Sequence, residues 1–190
     1  MPENIHFNEL SEKHDYSDGY FCGMEFDSCT FRDCNFSDTD LSKNEFRDCI
    51  FEDCNLSAAV FKNSGLKGVK FIKCKIMGVD FSCCREFLFE VDFEECILDY
   101  SIFSGNDLKS RNFIGCSVKE AGFTECDLTG ASFHNCDLSG TVFTRCDLRN
   151  ADFRTAVNYS VDPEINRIKS AKFSYPGITG LLEKYEIIIE

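Results

Sequence analysis

The chain has 190 residues, with 33 acidic against 20 basic side chains for a net charge of −13, and it contains 20 phenylalanines, 13 cysteines and no tryptophan. That charge weighs against nucleic acid as a direct partner, because an acidic surface repels a phosphate backbone. No apolar run is long enough to span a bilayer, MPENIHFNEL carries no signal-peptide pattern, and so many thiols point to the cytoplasm.

Residues 1–15 read as an N-terminal cap segment. From Tyr16 onward every fifth residue is large and apolar: Phe21, Phe26, Phe31, Phe36, Leu41, Phe46, Phe51, Leu56, Phe61, Leu66, Phe71, Ile76 and Phe81. The next centre, Leu88, lies seven residues on, so a two-residue bulge falls within 82–87. The register then resumes through Phe93, Leu98, Phe103 and onward to Phe153. A helical face repeats near 3.6 residues and a strand near 2, so a sustained period of five makes each pentad one corner of a coiled backbone. Residues 16–155 form a single solenoid on this reading.

Two residues before each centre stands a small side chain, ten times a cysteine. Such pentads as CNFSD, CDLTG, CDLSG, CDLRN and ADFRT resemble the pentapeptide-repeat family, whose motif is a small residue, Asp or Asn, then Leu or Phe, then two free positions. The resemblance implies an all-β fold, a right-handed quadrilateral parallel β-helix with four pentads per coil. With about seven coils stacked about 4.8 Å apart, the rod would be roughly 35 Å long. At twenty residues per coil, one column collects Phe31, Phe51, Phe71, Phe93, Phe113, Phe133 and Phe153. A second collects the small residues Cys34, Cys54, Cys74, Cys96, Cys116 and Cys136, and others read Leu41, Phe61, Phe81, Phe103, Phe123, Phe143 and Leu66, Leu88, Leu108, Leu128, Leu148. Thiols at that spacing stay reduced, since a disulfide needs Cβ atoms about 3.8 Å apart.

Aspartates just before a centre (Asp40, Asp80, Asp92, Asp107, Asp127, Asp137, Asp147 and Asp152) can bond the turn backbone and so be structural. The partner-binding candidates are acids at free positions: Asp33, Glu52, Asp53, Glu90, Glu94 and Glu95. Arg111, Asn44, Asn106 and Glu86 break the inward pattern, and Cys83 and Cys84 fall in the bulge, where they could be exposed. His6, His14 and His134 are scattered, no CxxC pair is present and no phosphate-binding glycine loop is found. We therefore expect no enzyme, no metal and no cofactor.

Residues 156–190 change grammar. Asp162 before Pro163 is a helix-start signal, Pro176 opens a second helical turn, and Tyr185 to Glu190 reads as extended. This short helical cap also carries Ile178, Leu181, Leu182, Tyr185, Ile187, Ile188 and Ile189, more apolar surface than a cap needs, which points to a homodimer through the C-termini. The tail, with VDP, INRIKSAKFS and LLEKYEIII, resembles the Qnr-type and MfpA-type topoisomerase-protection branch of the family. That resemblance implies a dimeric acidic rod that mimics DNA. Such a rod binds DNA gyrase, with topoisomerase IV as a further partner, and protects the enzyme from, or modulates its response to, fluoroquinolones or gyrase toxins. The chain lacks the long projecting loops of several Qnr proteins. The alternative is a non-catalytic interaction solenoid with a different protein partner.

Overall fold

The computed structural model describes residues 5–188. Two positions after most of the large inward residues the backbone turns left-handed, with φ of 53° at Asp33, 52° at Asp53, 54° at Lys73 and 53° at Glu95. Among these corner residues no Val, Ile or Thr occurs, because β-branched side chains clash in that conformation. Most corner N–H groups donate to a carbonyl of the next coil, as from Asp33 to Glu52 and from Asp53 to Ile72, both at 3.0 Å.

All strand pairing is parallel and steps by one coil. On face 1, Thr30–Arg32, Ile50–Glu52, Gly65–Ile72, Phe89–Glu94, Asn112–Ile114 and Ser132–His134 stack in order. Face 2 is held by single bridges such as Asn35 to Asn55 and Asn55 to Lys75. Face 3 stacks Ile102–Ser104, Gly122–Thr124 and Val142–Thr144, and face 4 stacks Ile5–Phe7, Glu25–Asp27 and Glu45–Arg47 before the start of Gly65–Ile72. The result is a four-sided parallel β-solenoid.

Its interior follows the columns. On face 1 the rings of successive phenylalanines stack from Phe31 to Phe153 at 4.7 to 5.3 Å between centroids. From Phe71 onward each ring also meets the face 3 column at a steep angle, as Phe103 meets Phe113 at 6.2 Å and 84°. Both geometries suit the aromatic quadrupole. The cysteine column is buried, and its thiols donate to carbonyls of the preceding coil: Cys54 to Phe31 at 3.3 Å, Cys74 to Phe51 at 3.3 Å and Cys136 to Phe113 at 3.1 Å. All thirteen cysteines are free.

The irregular coil differs in detail from the bulge expected in 82–87. A 3-10 turn at Glu86–Leu88 inserts three residues, so Leu66 pairs with Phe89, and Gly68 on the facing strand is skipped, so Val69 pairs with Val91. The net offset is two. Phe89, buried, takes the inward slot expected for Leu88, whose side chain instead lies over Gly65. A Cβ on Gly65 would stand 2.9 Å from Leu88 Cδ1 and 3.1 Å from its Cβ, so a larger residue there would have to displace Leu88.

Pairing also reaches beyond 16–155. Ile5–Phe7 pairs with Glu25–Asp27 and Leu10–Glu12 with Thr30–Arg32, while Arg167 bridges Asp147 and Lys172 bridges Asp152. Phe173 adds a ring to the ladder, 5.4 Å from Phe153. The helix expected at Asp162 is a single turn, in which Asp162 Oδ1 accepts the Glu164 N–H at 2.8 Å. Instead the Arg167 and Lys172 N–H groups donate to the Cys146 and Ala151 carbonyls of the coil before, at 3.0 and 2.8 Å. The cap itself consists of two 3-10 turns, Pro176–Leu181 and Glu183–Tyr185.

Candidate partner-binding surface

Most pre-centre aspartates serve the backbone. Asp40, Asp80, Asp107, Asp127, Asp137, Asp147 and Asp152 each accept the N–H two residues ahead, at 2.9 to 3.2 Å. Asp92 is the exception and accepts the Asn112 N–H of the next coil at 2.7 Å. Arg149 beside Asp147 and Arg154 beside Asp152 hold those carboxyls below the usual range. At Asp137 partial burial acts upward, but bonds from Ser139, Asn158 and Lys119 prevail and hold it well below.

The candidate acids fall into two groups. Glu52 is tied to Arg32, at 2.8 Å from Nε, and Arg32 also reaches Glu12 at 2.9 Å. Glu90 accepts from Arg111 at 3.1 Å. Asp33, Asp53, Glu94 and Glu95 are exposed and have no ion-pair partner among the described residues. Asp33, Asp53 and Glu95 are corner residues of one column, which Lys73 interrupts. The free carboxylates thus project from the edge between faces 1 and 2, and Glu94 stands beside Glu95.

The inward exceptions resolve locally. Arg111 is half-buried and turns toward Glu90 and the Lys109 carbonyl, so no unpaired charge enters the core. Asn44 and Asn106 are buried with both amide ends bonded: Asn44 accepts from Met24 and donates to the Phe21 carbonyl, both at 2.9 Å. Asn106 accepts from the Ser104 N–H at 3.0 Å and donates to the Phe81 carbonyl at 3.1 Å. Glu86 is exposed, and Cys84 takes the inward slot of that column, donating to the Phe61 carbonyl at 3.7 Å.

Burial pushes the Cys49 thiol up to about 12, and Cys83 and Cys84 are likewise raised by burial. None has the lowered pKa of a reactive thiol. His134 bonds the exposed Thr155 hydroxyl at 2.9 Å, which also accepts the Asn135 N–H at 2.9 Å, and His6 bonds Glu9 at 2.9 Å. Among the described residues no group of three or more His, Cys, Asp or Glu is placed to hold a metal, and no helix is long and apolar enough to cross a membrane.

At the C-terminal end Ile178, Tyr185, Ile187 and Ile188 are exposed, Ile188 at 88%. Leu181 packs instead against the core, Leu182 is half-buried, and Ile189 lies outside the described residues. Ile168 packs against the core, whereas Ile165 is exposed. Lys184 clamps the tail through Asp162 at 2.6 Å and Glu164 at 2.7 Å.

Sequence reasoning passed over one set of residues. Lys62, Lys67, Lys70, Lys73 and Lys75 are all exposed, and residues 60–79, one full coil, contain no acid. A count of charge coil by coil finds them.

A parallel solenoid with a corner every five residues and a filled aromatic interior defines a pentad-repeat architecture. The "Pentapeptide repeat region" family matches residues 24–85 and 87–153, so the chain belongs to the pentapeptide-repeat family. Among solved structures the chain is similar to a trypsin-treated variant of QnrB1, a plasmid-mediated fluoroquinolone resistance protein, at TM-score 0.60 and 21% identity over 98% of this chain and 99% of that one. Full-length QnrB1 matches at TM-score 0.48 and 19% identity over 96% and 100%. HetL, a pentapeptide repeat protein involved in heterocyst differentiation regulation in the cyanobacterium Nostoc sp. strain PCC 7120, matches at TM-score 0.38 and 14% identity over 90% and 86%. No curated protein matches the sequence.

Proposed function

We propose that the protein is a non-catalytic acidic rod that mimics DNA, binds DNA gyrase, and protects it from, or modulates its response to, fluoroquinolones or gyrase toxins. The observation that carries this reading is the edge of free carboxylates, Asp33, Asp53, Glu94 and Glu95, projecting from a rigid rod of net charge −13. Carboxylates at coil spacing on a stiff scaffold present a charge row to a basic groove without ordering cost. The resemblance of the tail to the topoisomerase-protection branch, and the likeness to a fluoroquinolone resistance protein, select gyrase among proteins with such grooves. A homodimer through the exposed Ile178, Tyr185, Ile187 and Ile188 would double the length of the rod.

The test is a supercoiling assay with purified gyrase, titrated with the protein with and without ciprofloxacin. Relief of drug-induced cleavage, or inhibition of supercoiling, is expected. Replacing Asp33, Asp53, Glu94 and Glu95 together by Lys should abolish either effect with the fold intact, since Lys43 and Lys73 already occupy the same kind of corner. No effect of the parent protein over a broad concentration range would assign the rod to another partner. For the dimer, Ile188→Asp should halve the mass seen by light scattering, and an unchanged mass would sink that contact.

A further inference from the structure

The coil at 60–79 departs from the rest of the rod in sign. It holds five lysines and no acid, between a segment with fourteen acids against four cations and one with nineteen against eleven. Eleven other cations, from Arg32 to Lys184, form ion pairs within 4 Å, and none of these five does among the described residues. They are left free although carboxylates stand close by. In its column Lys73 lies between Asp53 and Glu95, and Lys70 pairs in register with Asp92. Lys67, Lys70, Lys73 and Lys75 follow one another from face 4 across face 1 to face 2, the side that also carries the free acids.

We infer that this lysine coil is a second contact surface, which seats on a cluster of carboxylates in the protein that receives the acidic rod. The inference rests on the rod docking in a basic groove. Along the shared edge the charge runs minus, minus, plus, minus in steps of about 4.8 Å. Those steps are shorter than the Debye length of about 8 Å at physiological salt, so neighbouring signs offset one another at a distance and only a surface in direct contact meets each sign separately. A uniformly basic groove would set its own cations against the lysines, and like charges across an interface are penalised. A long phosphate polymer laid along the axis would meet Asp53 and Glu95 within one step of Lys73, which leaves a compact acidic patch on a protein as the fitting occupant.

The arrangement also answers a problem inherent in a repeating rod. A purely acidic solenoid offers nearly the same contacts after every coil and can slide in its groove. One inverted coil leaves a single axial position in which all charges are matched, so the penalty on wrong registers supplies the specificity.

The test is the affinity of purified gyrase for the full chain at fixed ionic strength, comparing the parent, the triple variant Lys70→Glu, Lys73→Glu and Lys75→Glu, and the corresponding alanine triple. The variants should keep the far-ultraviolet spectrum of the parent, because Lys75 is exposed and Asp92 and Glu95 already occupy the sites equivalent to Lys70 and Lys73 one coil on. We expect a loss of about tenfold or more for the glutamate triple and a smaller loss for the alanine triple. Unchanged or tighter binding of both, with the four-acid variant still defective, overturns this inference alone. Absence of binding by the parent overturns the gyrase reading, and this inference with it.

Discussion

At the C-terminal end of the rod Tyr159 lies across Phe153 and Phe173, at 5.5 and 5.7 Å between centroids, while at the N-terminal end of the described residues Tyr16, Phe21 and Phe26 line an open cavity of about 330 Å³. The ladder registers the difference: Phe153 is fully buried and Phe31 retains 6% exposure. In a solenoid each coil touches only its neighbours, so stability is a sum of coil and interface contributions, and a terminal coil has a single interface. The covered end therefore holds its last coil more firmly than the open one, and unfolding should start among the first strands. Hydrogen exchange should find the amides of Glu25–Asp27 opening before those of Val142–Thr144.

The largest expected effect breaks the ladder in its middle. Phe113→Ala removes a fully buried ring that stacks on Phe93 and Phe133 and should cost about 3 to 5 kcal/mol in denaturant unfolding. Phe26→Ala, on a half-buried ring at the open end, should cost about 1 kcal/mol. Equal costs at the two sites would contradict the graded burial from end to middle.

Next in size is an attack on the closed end. A Cβ at Gly180 would lie 2.1 Å from the Tyr159 carbonyl oxygen, a backbone atom that cannot swing aside. Gly180→Ala should therefore cost about 1 to 3 kcal/mol by overpacking and free the tail from the last coil. Exchange at Val142–Thr144 should then rise toward that of the N-terminal strands. If thermal stability is unchanged, the tail is not what closes this end.

Acid should act on the same half. The carboxyls of Asp137, Asp147 and Asp152 are held below their ordinary value in the folded chain. A depressed folded pKa contributes stability above the unfolded value of about 3.9, and that contribution disappears as pH falls through the folded values. The melting temperature should fall steeply below about pH 4, and Asp137→Asn with Asp147→Asn should flatten the fall while lowering the plateau above it. A fall centred near pH 6 would point instead to histidine.

The columns were legible in the sequence because each coil is twenty residues and each inward slot accepts one size of side chain. Phe31 through Phe153 could be stacked on paper, and the bridge pattern stacks them the same way. The irregular coil was harder. Spacing alone reports a net shift of two and cannot separate an insertion of three at Glu86–Leu88 from a compensating skip at Gly68. The tail misled for a related reason: Asp162 before Pro163 caps a turn as well as a helix, and the free strand edge of the last coil captured the segment that followed. On the surface, position in a pentad does not reveal ion pairing. Glu52 and Glu95 both occupy outward positions, yet only Glu52 has an arginine one coil away.

The smallest expected effect tests the corners. Ala58, with φ of 57°, sits directly under Gly78, with φ of 68°, and its N–H donates to the Met77 carbonyl at 2.9 Å. An L-residue held left-handed loses about 1 to 2 kcal/mol, whereas glycine loses about 0.5 to 1 kcal/mol through its greater freedom when unfolded. Ala58→Gly should thus stabilise the protein by about 0.5 kcal/mol and Gly78→Ala should destabilise it by a similar amount. No atom lies within 4 Å of a Cβ built on Gly78, so backbone strain alone sets the sign. The gain from Ala58→Gly should appear as slower exchange in Glu45–Arg47 and Ile50–Glu52, the strands on the side of the open end, narrowing the gap between the two halves. If Gly78→Ala proves neutral, the left-handed corner costs an L-residue nothing in this solenoid, and corner composition places no limit on how long such a rod can grow.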